Sequence, residues 1–141
     1  MSWNQAMQYC QKNGMGASLL SINSIAKQLD LEINLPRLVG QSITNKNLSF
    51  KMCVIKIYLL FKGSIINKVG LWTSGTWLPT IGIFVWASGL QPFSFNQFWM
   101  TGYPKNQGTN DCVRIIPSVN SVWADLDCYQ YLPFVCESAI L

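Results

Sequence analysis

Five cysteines in 141 residues, Cys10, Cys53, Cys112, Cys128 and Cys136, constrain this chain more than any other feature. No two of them form a C-x-x-C pair, so neither a zinc knuckle nor a thioredoxin-type motif is present. Cys112, Cys128 and Cys136 fall in the last thirty residues, between strand-like runs. That arrangement reads as a disulfide framework made in an oxidising compartment; the alternative is a set of buried free thiols in a cytosolic protein. An odd number leaves one cysteine over, and Cys53 is the candidate because its surroundings look foreign. The length suits one domain, so the chain is read as a single domain over residues 1–141.

Histidine is absent. Its absence excludes Ser-His-Asp and Cys-His nucleophile chemistry and zinc sites that need imidazole. A metal site would have to be built from oxygens or thiolates alone. Charged residues make up 11% of the chain, against about 25% in typical soluble domains, which rules out a solvated disordered chain. The carboxylates are Asp30, Glu32, Asp111, Asp125, Asp127 and Glu137, and none lies between residues 33 and 110. That stretch carries Arg37, Lys46, Lys51, Lys56, Lys62, Lys68 and Lys105, so it is a poor place to hold a divalent cation. The net charge of +4 is too small and too scattered to argue for nucleic acid.

Ser2-Trp3-Asn4-Gln5 reads as a capping box, and the helix it opens puts Trp3, Ala6, Met7 and Cys10 on one face. It is expected to stop at Asn13-Gly14. Residues 17–22 read as a short strand, and Asn23 or Ser24 caps a second helix that Pro36 is expected to end. Residues 37–69 lack a clear period, contain the sequon Asn47-Leu48-Ser49, and read as an insertion or as translated non-coding sequence. Their longest apolar run, residues 52–61, is interrupted by Lys56 and falls short of the roughly 20 residues of a membrane span. Residues 70–77 read as a strand. Residues 78–108, rich in Pro, Gly and aromatics, read as a long ordered loop. Residues 112–116, 121–125 and 132–137 read as short strands. Two helices followed by an antiparallel sheet make the fold class α+β.

In this order the motifs resemble the C-type lectin family, in its arthropod form. Residues 1–22 look like that domain's opening helix and second strand; Leu71-Trp72-Thr73-Ser74-Gly75 matches its central strand, and Phe84-Val85-Trp86 the Phe-x-Trp of its long loop. Trp99-Met100-Thr101-Gly102 sits where the family has a Trp before its sugar-site triplet. Cys112-Val113, Trp123-Ala124-Asp125, Cys128 and Phe134-Val135-Cys136-Glu137 match its C-terminal signature. The resemblance implies a C-type-lectin-like fold, bridges Cys10–Cys136 and Cys112–Cys128, and a non-enzymatic, extracellular module that binds carbohydrate, such as microbial glycans in innate pattern recognition. A secretion leader is not evident at Met1, and the family's first strand is not found. A truncated chain with an unpaired edge near residues 134–137 is therefore expected.

The resemblance also implies a calcium ion bridging protein oxygens and sugar hydroxyls, and here the sequence departs from the pattern. Tyr103-Pro104-Lys105 stands where the family has Glu-Pro-Asn or Gln-Pro-Asp, Asn110 where it has Glu, and Trp123-Ala124-Asp125 where it has Trp-Asn-Asp. Only Asn110 and Asp125 remain as metal ligands, with Asp111 or Asn106 as displaced alternatives, so no cofactor is expected. Lys105 is expected to place its ammonium at the ion's position, paired with Asp125. The expected ligand-contacting residues are Trp99, Tyr103, Pro104, Lys105, Asn110 and Asp125, used for a sugar or, in the alternative, for a protein partner without calcium. Trp72, Trp86 and Trp123 are expected in the core, while Trp77, Trp99 and Tyr103 serve packing or ligand stacking equally well. Asp125 and Asp127 share a strand face, and the reading as a solvated strand end is preferred to a catalytic pair.

Overall fold

The computed structural model describes residues 1–13, 17–39, 46–50, 53–58, 69–106, 108 and 111–139. The capping box forms: the Ser2 backbone N–H donates to Gln5 Oε1 at 3.0 Å, and the Gln5 N–H donates to Ser2 Oγ at 3.4 Å. It opens helix α1 (Trp3–Asn13), whose Trp3, Ala6 and Cys10 are buried. Strand β1 (Ser18–Leu19) is shorter than the predicted run. Helix α2 (Ile25–Val39) starts at Ser24, whose Oγ accepts the Lys27 N–H at 3.2 Å. Against expectation, α2 continues through Pro36. Proline interrupts a helix by removing one N–H and crowding the carbonyl four residues earlier; only three residues follow it here, so the disruption is confined to the last turn.

The remaining strands are β2 (Lys46–Phe50), β3 (Cys53–Tyr58), β4 (Leu71–Leu78), β5 (Ile83–Trp86), β6 (Gln91–Pro92), β7 (Asp111–Ile116), β8 (Val122–Asp127) and β9 (Phe134–Ala139). They join in one sheet with β1, in the order β2-β3-β9-β4-β5-β6, while β1 pairs with β9, β7 with β4, and β8 with β7. All named pairings are antiparallel except β4 with β9. The edge of β9, expected to be bare, is covered. β3 runs antiparallel along its whole length, from Cys53 opposite Ala139 to Tyr58 opposite Phe134. The atypical segment thus supplies backbone partners where the sequence pattern offered none, and the outer position passes to β2, which carries the sequon. The predicted long loop is also partly regular, since β5 and β6 form within it.

Two buried clusters fill the domain. Trp3, Ala6, Cys10, Leu19, Trp72, Cys112, Leu132, Phe134 and Cys136 pack under α1, while Leu20, Ile22, Leu31, Leu35, Leu71, Trp86, Val113, Ile115, Trp123 and Val135 pack under α2. Each large apolar side chain buried this way contributes about 1.5–3 kcal/mol relative to exposure. Three indole N–H groups have partners, whereas the buried Trp86 Nε1 has none among the described residues: Trp3 Nε1 donates to the Thr73 carbonyl at 2.8 Å and Trp72 Nε1 to the Met1 carbonyl at 3.2 Å. Trp123 Nε1 donates to Gln28 Oε1 at 2.9 Å, and Gln28 Nε2 donates in turn to the Ser121 carbonyl at 2.9 Å. A fully buried glutamine is tolerated because both ends of its amide are used. Disulfides Cys10–Cys136 and Cys112–Cys128, with Cα separations of 5.5 and 5.1 Å, tie α1 to β9 and the start of β7 to the end of β8. The Cys53 side chain, the predicted odd cysteine, lies outside what the structure describes.

Candidate functional site

The long loop between β4 and β7 is held by aromatic rings. Phe93 is its centre: it stacks on Trp86 with centroids 4.0 Å apart and lies 5.8 Å from Phe84, 5.3 Å from Trp123 and 6.0 Å from Trp99. Trp99 reaches Phe84 at 5.0 Å and Trp123 at 5.8 Å, and Phe84 reaches Trp77 at 5.1 Å. Phe95 and Phe98 also close on Trp123, at 5.5 and 5.8 Å. Glycine at position 75 is needed for this packing, because a Cβ there would stand 2.7 Å from Val113 Cβ and 3.0 Å from Phe93 Cζ. Backbone bonds complete the seam: Trp123 N–H donates to the Phe98 carbonyl and Met100 N–H to the Trp123 carbonyl, both at 2.8 Å.

Beyond Trp99 the loop returns to β8 at Asp125. Its two carboxylate oxygens accept separate backbone N–H groups, from Lys105 to Oδ1 at 2.9 Å and from Asn106 to Oδ2 at 2.7 Å. Asp125 is buried, not the solvated strand end expected. Hydrogen bonds to a charged acceptor are each worth about 1.5–3 kcal/mol, so one side chain anchors the segment that follows the Tyr103–Pro104 cis peptide. The expected ion pair between Lys105 and Asp125 is replaced by this backbone contact. The Lys105 ammonium lies instead over the Tyr103 ring, 5.0 Å from its centroid. An exposed ammonium keeps its hydration there, whereas the buried carboxylate needs donors at short range, and the main chain supplies them.

Two further carboxylates stand at the same end of the sheet. Asp111 opposes Asp127 across the β7–β8 ladder, and Asp125 is two residues from Asp127 on the same face. Asp111 is buried with no hydrogen-bond partner for Oδ2 among the described residues. Desolvation, reinforced by the charge of Asp125, pushes its carboxyl above the ordinary aspartate range; a hydrogen bond from the Gly108 backbone opposes the rise and Asp127 adds to it. Asp127 is exposed and Oδ1 accepts the Tyr129 N–H at 2.9 Å, fixing the turn that follows β8.

The structure therefore brings Tyr103, Pro104, Lys105 and Asp125 together at one rim, with Trp99 half-buried in the ring cluster behind them. Asn110, the other expected ligand, lies outside the described residues. Trp72, Trp86 and Trp123 are in the core as expected, and Trp77 is half-buried beside Phe84. Sequence reasoning missed the Tyr129–Tyr131 turn, where both phenols are more than two-thirds exposed. Its signal was present as Cys128-Tyr129-Gln130-Tyr131, two tyrosines within three residues of a cysteine.

The chain has a C-type-lectin-like fold. Over its whole length the chain superposes on CEL-IV with a TM-score of 0.68, 16% identity and 83% of that chain covered. It superposes equally completely on the carbohydrate-recognition domain of cow CD23, determined in the presence of a GlcNAc2Man3 oligosaccharide, with a TM-score of 0.63, 22% identity and 82% coverage. In sequence it is similar to C-type lectin 16 of Aedes aegypti, 28% identical across 98% of this chain and 76% of that protein. No protein-family model matches the chain. None of the helices among the described residues is long and apolar enough to cross a membrane.

Proposed function

We propose that this chain is a non-enzymatic, extracellular recognition domain that binds carbohydrate at the long-loop rim without calcium. The observation that carries the reading is the double use of Asp125, whose Oδ1 and Oδ2 each hold a backbone N–H. A calcium ion needs six to eight oxygen ligands at about 2.3–2.6 Å, and the N–H groups of Lys105 and Asn106 present hydrogens where such an ion needs lone pairs. Tyr103-Pro104-Lys105 contributes no carboxylate and one positive charge. Asp125 and its neighbours are therefore a poor fit for the ion the resemblance implies. The ring cluster centred on Phe93 gives the loop a means of keeping its shape that needs no metal.

Carbohydrate as the ligand class is supported by the likeness to C-type lectin 16 and to a CD23 domain studied with an oligosaccharide. Flat phenol and indole faces suit the apolar faces of sugar rings, and Tyr103 offers one beside an ammonium. The two disulfides support an oxidising, extracellular setting. The test is binding to immobilised sugars and bacterial glycan with and without a calcium chelator. Binding that the chelator leaves unchanged is the expected result. Binding abolished by the chelator contradicts the metal-free reading, and binding to protein but to no sugar contradicts the ligand class.

A further inference from the structure

A β-sheet has to settle each of its edges, because an uncovered edge strand presents a row of N–H and C=O groups with which a second chain can pair. Most edges here are occupied. β8 is covered by the long loop, where the Phe98 carbonyl and the Met100 N–H bond to the Trp123 main chain at 2.8 Å. Beside β1, the Leu20 carbonyl accepts the Ser74 N–H at 2.7 Å and the Leu19 carbonyl accepts the Ser88 hydroxyl at 2.9 Å. β6 is blunted by its own composition, since it has two residues and Pro92 has no N–H to offer. β2 ends the sheet on the opposite side. Its inner side is fully used, with Lys46 through Phe50 in register with Ile57 through Cys53, and no described residue pairs with its outer side. The strand is five residues long and contains no proline.

The same strand carries the chain's single Asn-x-Ser/Thr motif. Asn47-Leu48-Ser49 has a residue other than proline in the middle, as an N-glycosylation acceptor requires. Such acceptors are modified in chains that pass through the oxidising secretory compartment, and the Cys10–Cys136 and Cys112–Cys128 bridges support that route. In the modification, Asn47 Nδ2 attacks the anomeric carbon of a lipid-pyrophosphate-linked oligosaccharide. One C–N bond forms and the C–O bond to pyrophosphate breaks. The lipid pyrophosphate leaves with the bonding pair, the amide gives up one proton, and nothing is oxidised or reduced. A strand added to β2 would have to run about 4.8 Å away along its length. A bulky, hydrated glycan rooted at the second of its five residues obstructs that approach.

We propose that Asn47 carries an N-linked glycan and that this glycan caps the β2 edge against pairing with a second chain. The proposal rests on the extracellular part of the reading above and not on its ligand. Its test secretes the full chain from insect cells behind a supplied leader and follows mass and sedimentation before and after peptide-N-glycosidase digestion. The expected result is a loss of glycan mass that leaves aspartate at position 47, and no mass change on digestion of N47Q or S49A. The glycosylated chain is expected to sediment as a monomer, and its sedimenting mass to at least double once the glycan is removed from the folded protein. An unchanged Tm after digestion shows that association does not follow from unfolding, and slowed amide exchange in β2 marks that strand as the contact. A secreted, disulfide-bonded chain with Asn47 unmodified overturns the proposal and leaves the extracellular reading standing. A digested chain that stays monomeric, or that associates with β2 exchange unchanged, overturns the cap. A chain retained in the cell with Cys10, Cys112, Cys128 and Cys136 reduced overturns the proposal and the extracellular reading together.

Discussion

Replacing Asp125 with Asn changes almost no volume and tests how the rim is held. The parent carboxylate accepts two N–H donors, at 2.9 and 2.7 Å, one on each oxygen. Asparagine keeps one acceptor and turns an NH2 group toward the other N–H, so one part-buried donor loses its partner and the surviving bond loses its charge. Leaving a part-buried donor unsatisfied costs about 1 kcal/mol, the low end of the range for buried groups, and exchanging a charged for a neutral acceptor costs about 1 kcal/mol more. D125N should therefore destabilise the domain by about 2 kcal/mol. At this chain length that is roughly 6–8 °C in Tm, taking about 3–4 °C per kcal/mol. Amide hydrogen exchange followed by NMR gives the residue-level readout, with the Lys105 and Asn106 amides losing protection while those of β4 and β7 keep theirs. A D125N protein whose two loop amides exchange as slowly as the parent's, with Tm moved by about one degree, would refute the reasoning.

Two other perturbations probe the same end of the molecule. F93A removes the ring shared by Trp86, Phe84, Trp99 and Trp123; because Phe93 is only partly buried, the loss should be about 2–4 kcal/mol, at or below the usual range for a large aromatic, and near-UV circular dichroism should weaken as the indoles lose their fixed surroundings. D111N should stabilise the domain at neutral pH. The Asp111 carboxyl is pushed up in the folded state by desolvation and by Asp125, so its protonated form is favoured there. Its contribution is fully present below the unfolded aspartate pKa and is lost as pH rises through the folded value. The parent's Tm should fall relative to D111N across that interval and match it in acid; a constant difference across the series would show that charge at position 111 is not the cause.

The parts of the fold that rest on local rules were legible. The Ser2–Gln5 box, the Ser24 cap, the buried Trp72, Trp86 and Trp123, and the α+β class follow from patterns a few residues long. Both bridges agree with what the resemblance to C-type lectins implied. Pro36 was misread because a stop signal was weighed without its distance from the helix end. The pairing of β3 with β9 could not be seen, since it joins residues about eighty apart and no local period marks it. At the rim, the sequence placed Asp125 and Lys105 together but chose the wrong partner atom. Side-chain charge is written in the sequence, whereas the direction of a backbone N–H depends on the loop's path, here set by rings scattered from Trp77 to Trp123.

A thermal melt of the parent chain, run in chelator and again in 10 mM calcium, puts the metal-free rim at risk in one step. An ion bound to the folded state with a Kd near 0.1 mM would add about 2.7 kcal/mol at this concentration, or roughly 8–11 °C. Superimposable melts are the predicted result, because each Asp125 oxygen already accepts a backbone N–H, from Lys105 or Asn106, and Tyr103-Pro104-Lys105 adds no carboxylate to make up a calcium shell. A Tm that climbs with calcium, together with shifts of those two amide resonances, would contradict it.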